Sequence, residues 1–424
     1  MKKEQKFEIE GGKELKGEIE VNGAKNSALK ILASVVLTRQ EIVIENFPFI
    51  EDTKRMLEIL EDLGAKIKND KKNKKVVIDP KGIKKGNLQG ELVKKLRASI
   101  LLVGPLLSRF KEVQMAYPGG CVIGKRPIDI FLDGFKKMGA EVEWSDDGFK
   151  VFTEGKKLQG TKIFFPQVSV TGTEALMMTA ILAEGKTILK NCAMEPEIKS
   201  LADYLNDHGA KIKGAGTPTI EIEGVRRISA GIFKVIPDRI EAGTFIMMGL
   251  ACKSEITVKN CVPEHLGAVL PVLKKAGANL EVGADFVKVK KGDSLKAVSI
   301  ATHEFPGFAT DLQPPFTLLM TQAEGLSLIH ETIFEGRLFF TDQLSTMGAA
   351  IVMCDPHRVV ISGPTGLYGK KLTSPDLRAG ITMVIAGMMA FGKTTIDNIY
   401  QIDRGYEDID KRLNALGANI ERVD

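Results

Sequence analysis

Hydrophobic residues in this chain switch between two periodicities, and the switching recurs. Six uncharged apolar runs, at 28–37, 98–108, 175–183, 242–252, 312–323 and 379–392, are long enough for helices, the first broken only by Lys30. A helix that is apolar on every side is a buried helix. After such a run comes a short alternating stretch, as at 186–191 and 255–260, which predicts a strand. A second helix then carries apolar residues on one face only. Met56, Leu60 and Leu63 fall at i, i+4 and i+7, as do Ile409, Leu413 and Leu416. It ends in a Gly-Ala element: Gly64-Ala65, Gly139-Ala140, Gly209-Ala210, Gly277-Ala278, Gly348-Ala349 and Gly417-Ala418. Glycine there predicts a left-handed C-cap with a strand starting at once.

These glycines recur about every 70 residues, so one supersecondary unit is built six times. The sixth unit breaks off after Gly417-Ala418. Phe7-Glu8-Ile9-Glu10-Gly11 resembles Val359-Val360-Ile361-Ser362-Gly363, so residues 1–22 are expected to pair with the last unit. The expected fold class is α/β (α+β): two domains of three βαβαββ-like units each, with buried helices inside and sheets outside. Residues 23–235 make one domain, and residues 1–22 with 236–424 make a discontinuous second one. Two chain crossings, near 21–23 and 234–237, are a natural place for domain closure.

Length agrees, because 424 residues are too many for one ordinary core. The net charge of +5 is scattered rather than gathered on a stripe with aromatics, which argues against nucleic-acid binding. No apolar segment reaches the length of a membrane span, and the charged first ten residues lack the core of a signal peptide. Five cysteines (Cys121, Cys192, Cys252, Cys261 and Cys354) without ligand spacing point to free thiols in a reducing cytoplasm. Neither a metal nor a dinucleotide cofactor is expected.

What distinguishes the chain from a repeat scaffold without chemistry is the charge at the starts of its buried helices. They open with Lys25-Asn26-Ser27, Arg97-Ala98-Ser99, Ser169-Val170-Thr171, Arg239-Ile240-Glu241, Asp311-Leu312-Gln313 and Asp376-Leu377-Arg378. Helix N-termini with added cations suit phosphates and carboxylates. Asp311 and Asp376 are candidate bases or orienters, or simply N-caps. In Pro118-Gly119-Gly120-Cys121-Val122-Ile123-Gly124-Lys125-Arg126-Pro127-Ile128-Asp129, Cys121 lies close to two cations in a glycine-rich loop, where a thiol can do chemistry. The other four cysteines read as small buried hydrophobes.

With Asn22-Gly23-Ala24-Lys25-Asn26, Glu195-Pro196-Glu197-Ile198, Ile236-Pro237-Asp238-Arg239-Ile240-Glu241, Glu331-Thr332-Ile333-Phe334-Glu335 and Asp403-Arg404-Gly405-Tyr406-Glu407, the loop resembles the enolpyruvyl transferases from residue 7 to 423. Within them it is similar to the amino-sugar branch rather than the shikimate 3-phosphate branch, the alternative. The resemblance implies an inside-out barrel in each domain, an active site in the interdomain cleft, and transfer of the enolpyruvyl group of phosphoenolpyruvate to the 3-hydroxyl of UDP-N-acetylglucosamine, the first committed step of peptidoglycan synthesis. It implies no cofactor and no obligatory protein partner. Lys25, Asn26, Arg126 and Arg404 would hold phosphoenolpyruvate. Cys121 would protonate its methylene carbon and would be the thiol alkylated by fosfomycin. Arg97, Arg126, Pro127, Ile128, Asp129, Ile130, Gln167, Val168, Ser169, Val170, Asp311 and Ile333 would contact the UDP-sugar, with Asp311 as candidate base. Asp376, Arg378 and Arg337 would support the charged cleft. Many relatives carry lysine at Gln167 and glycine at Thr171; Arg109 or Lys162 is the candidate replacement for the missing cation.

Overall fold

The computed structural model describes residues 5–84, 86–119 and 128–424. Two strands open the chain, β1 (Lys6–Glu10) and β2 (Lys16–Glu20). The first unit follows with α1 (Lys25–Ser34), β3 (Ile42–Glu45), α2 (Glu51–Asp62), β4 (Lys66–Asp70), β5 (Lys75–Asp79) and β6 (Gly86–Leu88). A short α3 (Glu91–Lys95) leads to α4 (Val103–Phe110), β7 (Glu112–Ala116), α5 (Asp129–Lys137), β8 (Glu141–Ser145), β9 (Gly148–Phe152) and β10 (Lys162–Phe164). The third unit is α6 (Val170–Ala180), β11 (Lys186–Lys190), α7 (Pro196–Asp207), β12 (Lys211–Lys213), β13 (Thr219–Glu223) and β14 (Ile232–Lys234). The fourth is α8 (Arg239–Ala251), β15 (Glu255–Lys259), α9 (Val269–Lys275), β16 (Leu280–Val282), β17 (Phe286–Val289) and β18 (Ile300–Ala301). The fifth is α10 (Gln313–Met320), β19 (Gly325–His330), α11 (Thr341–Thr346), β20 (Ala350–Asp355), β21 (Arg358–Gly363) and β22 (Lys371–Thr373). The last is α12 (Leu377–Met389), β23 (Lys393–Asp397), α13 (Tyr400–Asp403), α14 (Ile409–Ala415) and β24 (Ile420–Val423).

Each unit's last strand leaves it and lies parallel to the first strand of the next. Thus β6 pairs with β7, β10 with β11, and β14 returns to β3, closing residues 23–236 into a ring of three sheets. In the same way β18 pairs with β19, β22 with β23 and β2 with β15, while β1 lies antiparallel between β23 and β24. The expectation that residues 1–22 complete the last unit therefore holds for β1 but not for β2. A unit's final strand serves the sheet of its successor, and around a closed ring the successor of the sixth unit is the fourth.

Two compact units result. Of the described residues, one holds 23–84, 86–119 and 128–236 and the other 5–22 with Pro237–Asp424, and each has its own apolar core. In the second, α8, α10 and α12 pack on one another, and α8 and α12 bury nearly every residue. Two of the six buried helices begin as 3-10 turns, at Arg97–Leu102 and Thr310–Leu312. Prolines explain both: Pro105 withholds the N–H that an α-turn onto Leu101 needs, and Pro314-Pro315 can stand only in an α-helix's first turn.

All six Gly-Ala elements adopt the expected cap. Their glycines have φ between +90° and +113°, and each alanine N–H donates to the carbonyl five residues back at 2.9–3.2 Å. A second recurrence emerges only in the structure. Asn46, Asn191, Asn260 and Asn398 follow the first strand of their units at positive φ, and each side-chain amide donates at 2.7–2.9 Å to the carbonyl of Val235, Phe165, Val21 or Ser374 beside the incoming parallel strand. Residues 191 and 260 are thus turn residues rather than strand ends. Cys192 and Cys261 are buried and Cys252 half-buried, as their apolar settings suggest, but Cys354 is exposed on β20, where strand alternation turns it outward.

Candidate active site

In the 23–236 unit, α1 begins without a capping side chain or an acidic first turn. Its first residue, Lys25, reaches Asp52 on α2, with Nζ 3.1 Å from Oδ2. Asn26 follows, half-buried. Arg97 opens the 3-10 turn that packs on both α1 and α6. Ser169 caps α6, its Oγ accepting from the Gly172 N–H at 3.0 Å; Val168 and Val170 flank it half-buried, and Gln167 is exposed. Ile128, Asp129 and Ile130 form the start of α5, with Asp129 exposed. Cys121, Arg126 and Pro127 lie outside the described residues. Arg109 does not replace the cation missing at Gln167. Its guanidinium donates to the carbonyls of Val36, Thr38 and Ile83 at 3.0–3.4 Å, which ties it to the end of the first buried helix, and Lys162 is exposed on β10.

Lys30, one turn along from Asn26, is buried, and its Nζ stands 3.3 Å from Oε1 of Glu174, which is fully buried on α6. Burial pushes the Glu174 carboxyl up to about 8; Lys30 pulls it down, and Glu197 and Glu195 add like charge.

In the other unit the two candidate aspartates behave differently. Asp376 is an N-cap: its Oδ1 accepts from the N–H groups of Arg378 and Ala379 at 2.8 and 3.1 Å. Asp311 is not the N-cap of the helix it opens. Its Oδ1 accepts from Arg337 Nη1 at 2.7 Å, and its Oδ2 lies 3.0 Å from both Nε and Nη2 of Arg378. Both guanidiniums are buried, and Asp311 helps hold that of Arg378 in its charged form, well above its ordinary range. Glu331, wholly buried, ties Ile333 to this cluster: Oε1 accepts from the Ile333 and Phe334 N–H groups, and Oε2 from the hydroxyl of Thr310, beside Asp311. Arg404 ends α13 half-buried and donates to Gln401 at 3.0 Å.

The structure therefore gathers Asp311, Arg337 and Arg378 into one cluster, with Asp376 setting the helix that carries Arg378. Asp52, Lys30–Glu174 and Glu331 escaped the sequence reading. The charge of Lys30 inside an apolar run was the one available signal, because a buried lysine needs a partner. Among the described residues no group of three or more His, Cys, Asp or Glu is placed to hold a metal ion, and no helix is long and apolar enough to cross a membrane.

Six repeats in two rings of three, with cations at the starts of buried helices, define an enolpyruvyl-transferase type of architecture. A family profile for EPSP synthase (3-phosphoshikimate 1-carboxyvinyltransferase) matches residues 9–413, and the chain belongs to that family. More particularly, it is 44% identical over 418 residues to a UDP-N-acetylglucosamine 1-carboxyvinyltransferase of Desulforapulum autotrophicum, covering 99% of both chains. It is 45% identical to the UDP-N-acetylglucosamine 1-carboxyvinyltransferase 1 of Carboxydothermus hydrogenoformans, over 99% of this chain and 98% of that one. Among solved structures, the enolpyruvyl transferase NikO from Streptomyces tendae superposes with a TM-score of 0.90 at 25% identity, covering 99% of both chains. An EPSP synthase from Acinetobacter baumannii, at 19% identity and a TM-score of 0.74, shares the fold.

Proposed function

We propose that this chain transfers the enolpyruvyl group of phosphoenolpyruvate to the 3-hydroxyl of UDP-N-acetylglucosamine, releasing phosphate, at the start of peptidoglycan synthesis in the cytoplasm. What carries the reading is identity of 41–45% across 99% of the chain to relatives named for that reaction. The charge distribution supports it, since Lys25, Arg97, Arg239 and Arg378 stand at the starts of buried helices, and the substrates carry phosphate and carboxylate groups.

In this reading Lys25, Asn26, Arg126 and Arg404 bind phosphoenolpyruvate, and Asp52 fixes the Lys25 ammonium. Arg97, Gln167, Val168, Ser169 and Val170, with Arg126, Pro127, Ile128, Asp129 and Ile130, bind the UDP-sugar together with Ile333. The sugar oxygen bonds to C2 of phosphoenolpyruvate while Cys121 delivers a proton to C3. The adduct then loses phosphate and a C3 proton, restoring the double bond. Asp311 orients the sugar hydroxyl and takes its proton. Each guanidinium contact weakens as the carboxylate gains that proton, so proton transfer is coupled to loosening of Arg337 or Arg378. No cofactor enters these steps.

The test is phosphate release from phosphoenolpyruvate with UDP-N-acetylglucosamine or shikimate 3-phosphate as acceptor, before and after thiol alkylation. Release with the UDP-sugar alone, lost on alkylation of Cys121, is expected. Release with shikimate 3-phosphate alone would replace the acceptor.

A further inference from the structure

Tyr406 has no part in that mechanism, yet it heads the fully buried side chains by volume among the described residues. Its hydroxyl lies 3.3 Å from Arg378 Nη1 and 3.2 Å from Thr244 Oγ1. A guanidinium can only donate, so the tyrosine oxygen accepts from Arg378; the phenol's own proton goes to Thr244 because the single Thr244 proton is committed to a backbone carbonyl. Thr244 in turn donates to the Ile240 carbonyl at 2.8 Å, inside α8. Every proton in this chain has one place, and its direction is set from Arg378 to the helix backbone. Burial raises the Tyr406 pKa, keeping it a phenol, and its ring centroid lies 5.8 Å from the Arg378 guanidinium carbon. Arg378 is thereby held on two sides, by Asp311 through Nε and Nη2 and by Tyr406 through Nη1.

We propose that Tyr406 and Thr244 are positioning residues for the reaction, holding Arg378, and through it Asp311, in the orientation that meets the acceptor hydroxyl. The inference rests on the enolpyruvyl-transfer reading for its kinetic consequence, but the chain itself is a property of the free protein. A tyrosine that only filled space would be replaced by phenylalanine without loss. The hydroxyl is what the assignment concerns.

Three substitutions test it. Tyr406→Phe removes one oxygen and keeps the ring; Thr244→Val removes the acceptor; Thr244→Ser retains it. The first two should each lower kcat about tenfold, the worth of one hydrogen bond, with both KM values within about twofold of the parent. Thr244→Ser should restore kcat, and the double variant Tyr406→Phe/Thr244→Val should be no worse than Tyr406→Phe, because both break one chain. Unchanged kcat in Tyr406→Phe, a loss carried by KM, or additive losses would overturn the proposal. A second readout needs no turnover. The Arg378 Nε–H resonance, assigned by its absence in Arg378→Lys, should exchange with solvent at least about tenfold faster in Tyr406→Phe than in the parent. If the parent chain does not use UDP-N-acetylglucosamine, the reaction reading falls by itself. Equal exchange rates would then overturn the positioning chain, and faster exchange in the variant would support it.

Discussion

Glu174 sits wholly inside the 23–236 unit with the Lys30 ammonium 3.3 Å from one oxygen, and two effects compete there. Attraction at that distance is about 5 kcal/mol for an effective dielectric of 20. Removing both charges from water costs several kcal/mol for each ion. Apart from the Lys30 ammonium, neither Glu174 oxygen has a hydrogen-bond partner among the described residues, and Glu195 and Glu197 add like charge, so burial wins and the carboxyl rises from its ordinary 4.5 to about 8. The folded chain thus keeps a proton that the unfolded chain releases. Stability from this group is full below pH 4.5 and is lost as pH rises through about 8, by up to about 1.4 kcal/mol per pH unit. Glu174→Gln has the shape of the protonated acid and cannot ionise. It should match the parent near pH 4.5, gain on it steadily as pH rises, and level off above about pH 8. Trp144, the single tryptophan, lies in the same unit and reports its unfolding in urea. A variant about 3–5 kcal/mol less stable than the parent at neutral pH, the cost of breaking a buried ion pair, would refute the reasoning. So would a difference independent of pH.

Lys25→Ala takes the ammonium away from Asp52 and from the proposed phosphate site. Turnover measured by phosphate release should drop at least about a hundredfold, and full activity would remove Lys25 from the site. Burial lifts the thiols of Cys192, Cys252 and Cys261 to about 11, 12 and 11, so alkylation near neutrality should fall on Cys121 and the exposed Cys354. Cys354→Ala should leave inactivation unchanged, while Cys121→Ser should lose turnover without alkylation; peptide mapping that assigns inactivation to any other thiol would reject Cys121 as the reactive residue. At Gly139, φ is +93° and an added Cβ meets nothing within 4 Å, so Gly139→Ala should cost only the left-handed strain, about 1–2 kcal/mol. At Gly64 the same carbon would stand 2.5 Å from the Gly82 carbonyl oxygen, so Gly64→Ala should cost more; urea unfolding followed at Trp144 would reject this if the order reversed.

Much of the fold was legible because its determinants are local. Apolar runs name the buried helices, and Gly-Ala marks each helix end because only a residue tolerant of φ near +100° lets the chain turn there without a steric penalty. The site was legible as a set of residue types at recurring positions, but not as a set of roles. Asp311 and Asp376 look alike in sequence, each opening a buried helix. The prolines at 314 and 315 turn the first into a 3-10 entry whose carboxylate faces two arginines, while the second keeps an ordinary cap.

By itself, then, the sequence determined six units, their helix and strand order, their caps and the gathering of cations at helix starts. All of these follow from periodicity and backbone chirality within a few residues. Tertiary structure alone decided which sheet β2 joins, because that depends on the ring closing. It also decided that Lys30 meets Glu174 and that Tyr406 meets Arg378 and Thr244. Lys30–Glu174 and Tyr406–Thr244 join different repeat units, Tyr406–Arg378 joins residues 28 apart within one, and no local pattern encodes which buried polar group will find which. That choice is made by packing, where an unpaired charge or hydroxyl in an apolar core is too costly to leave alone.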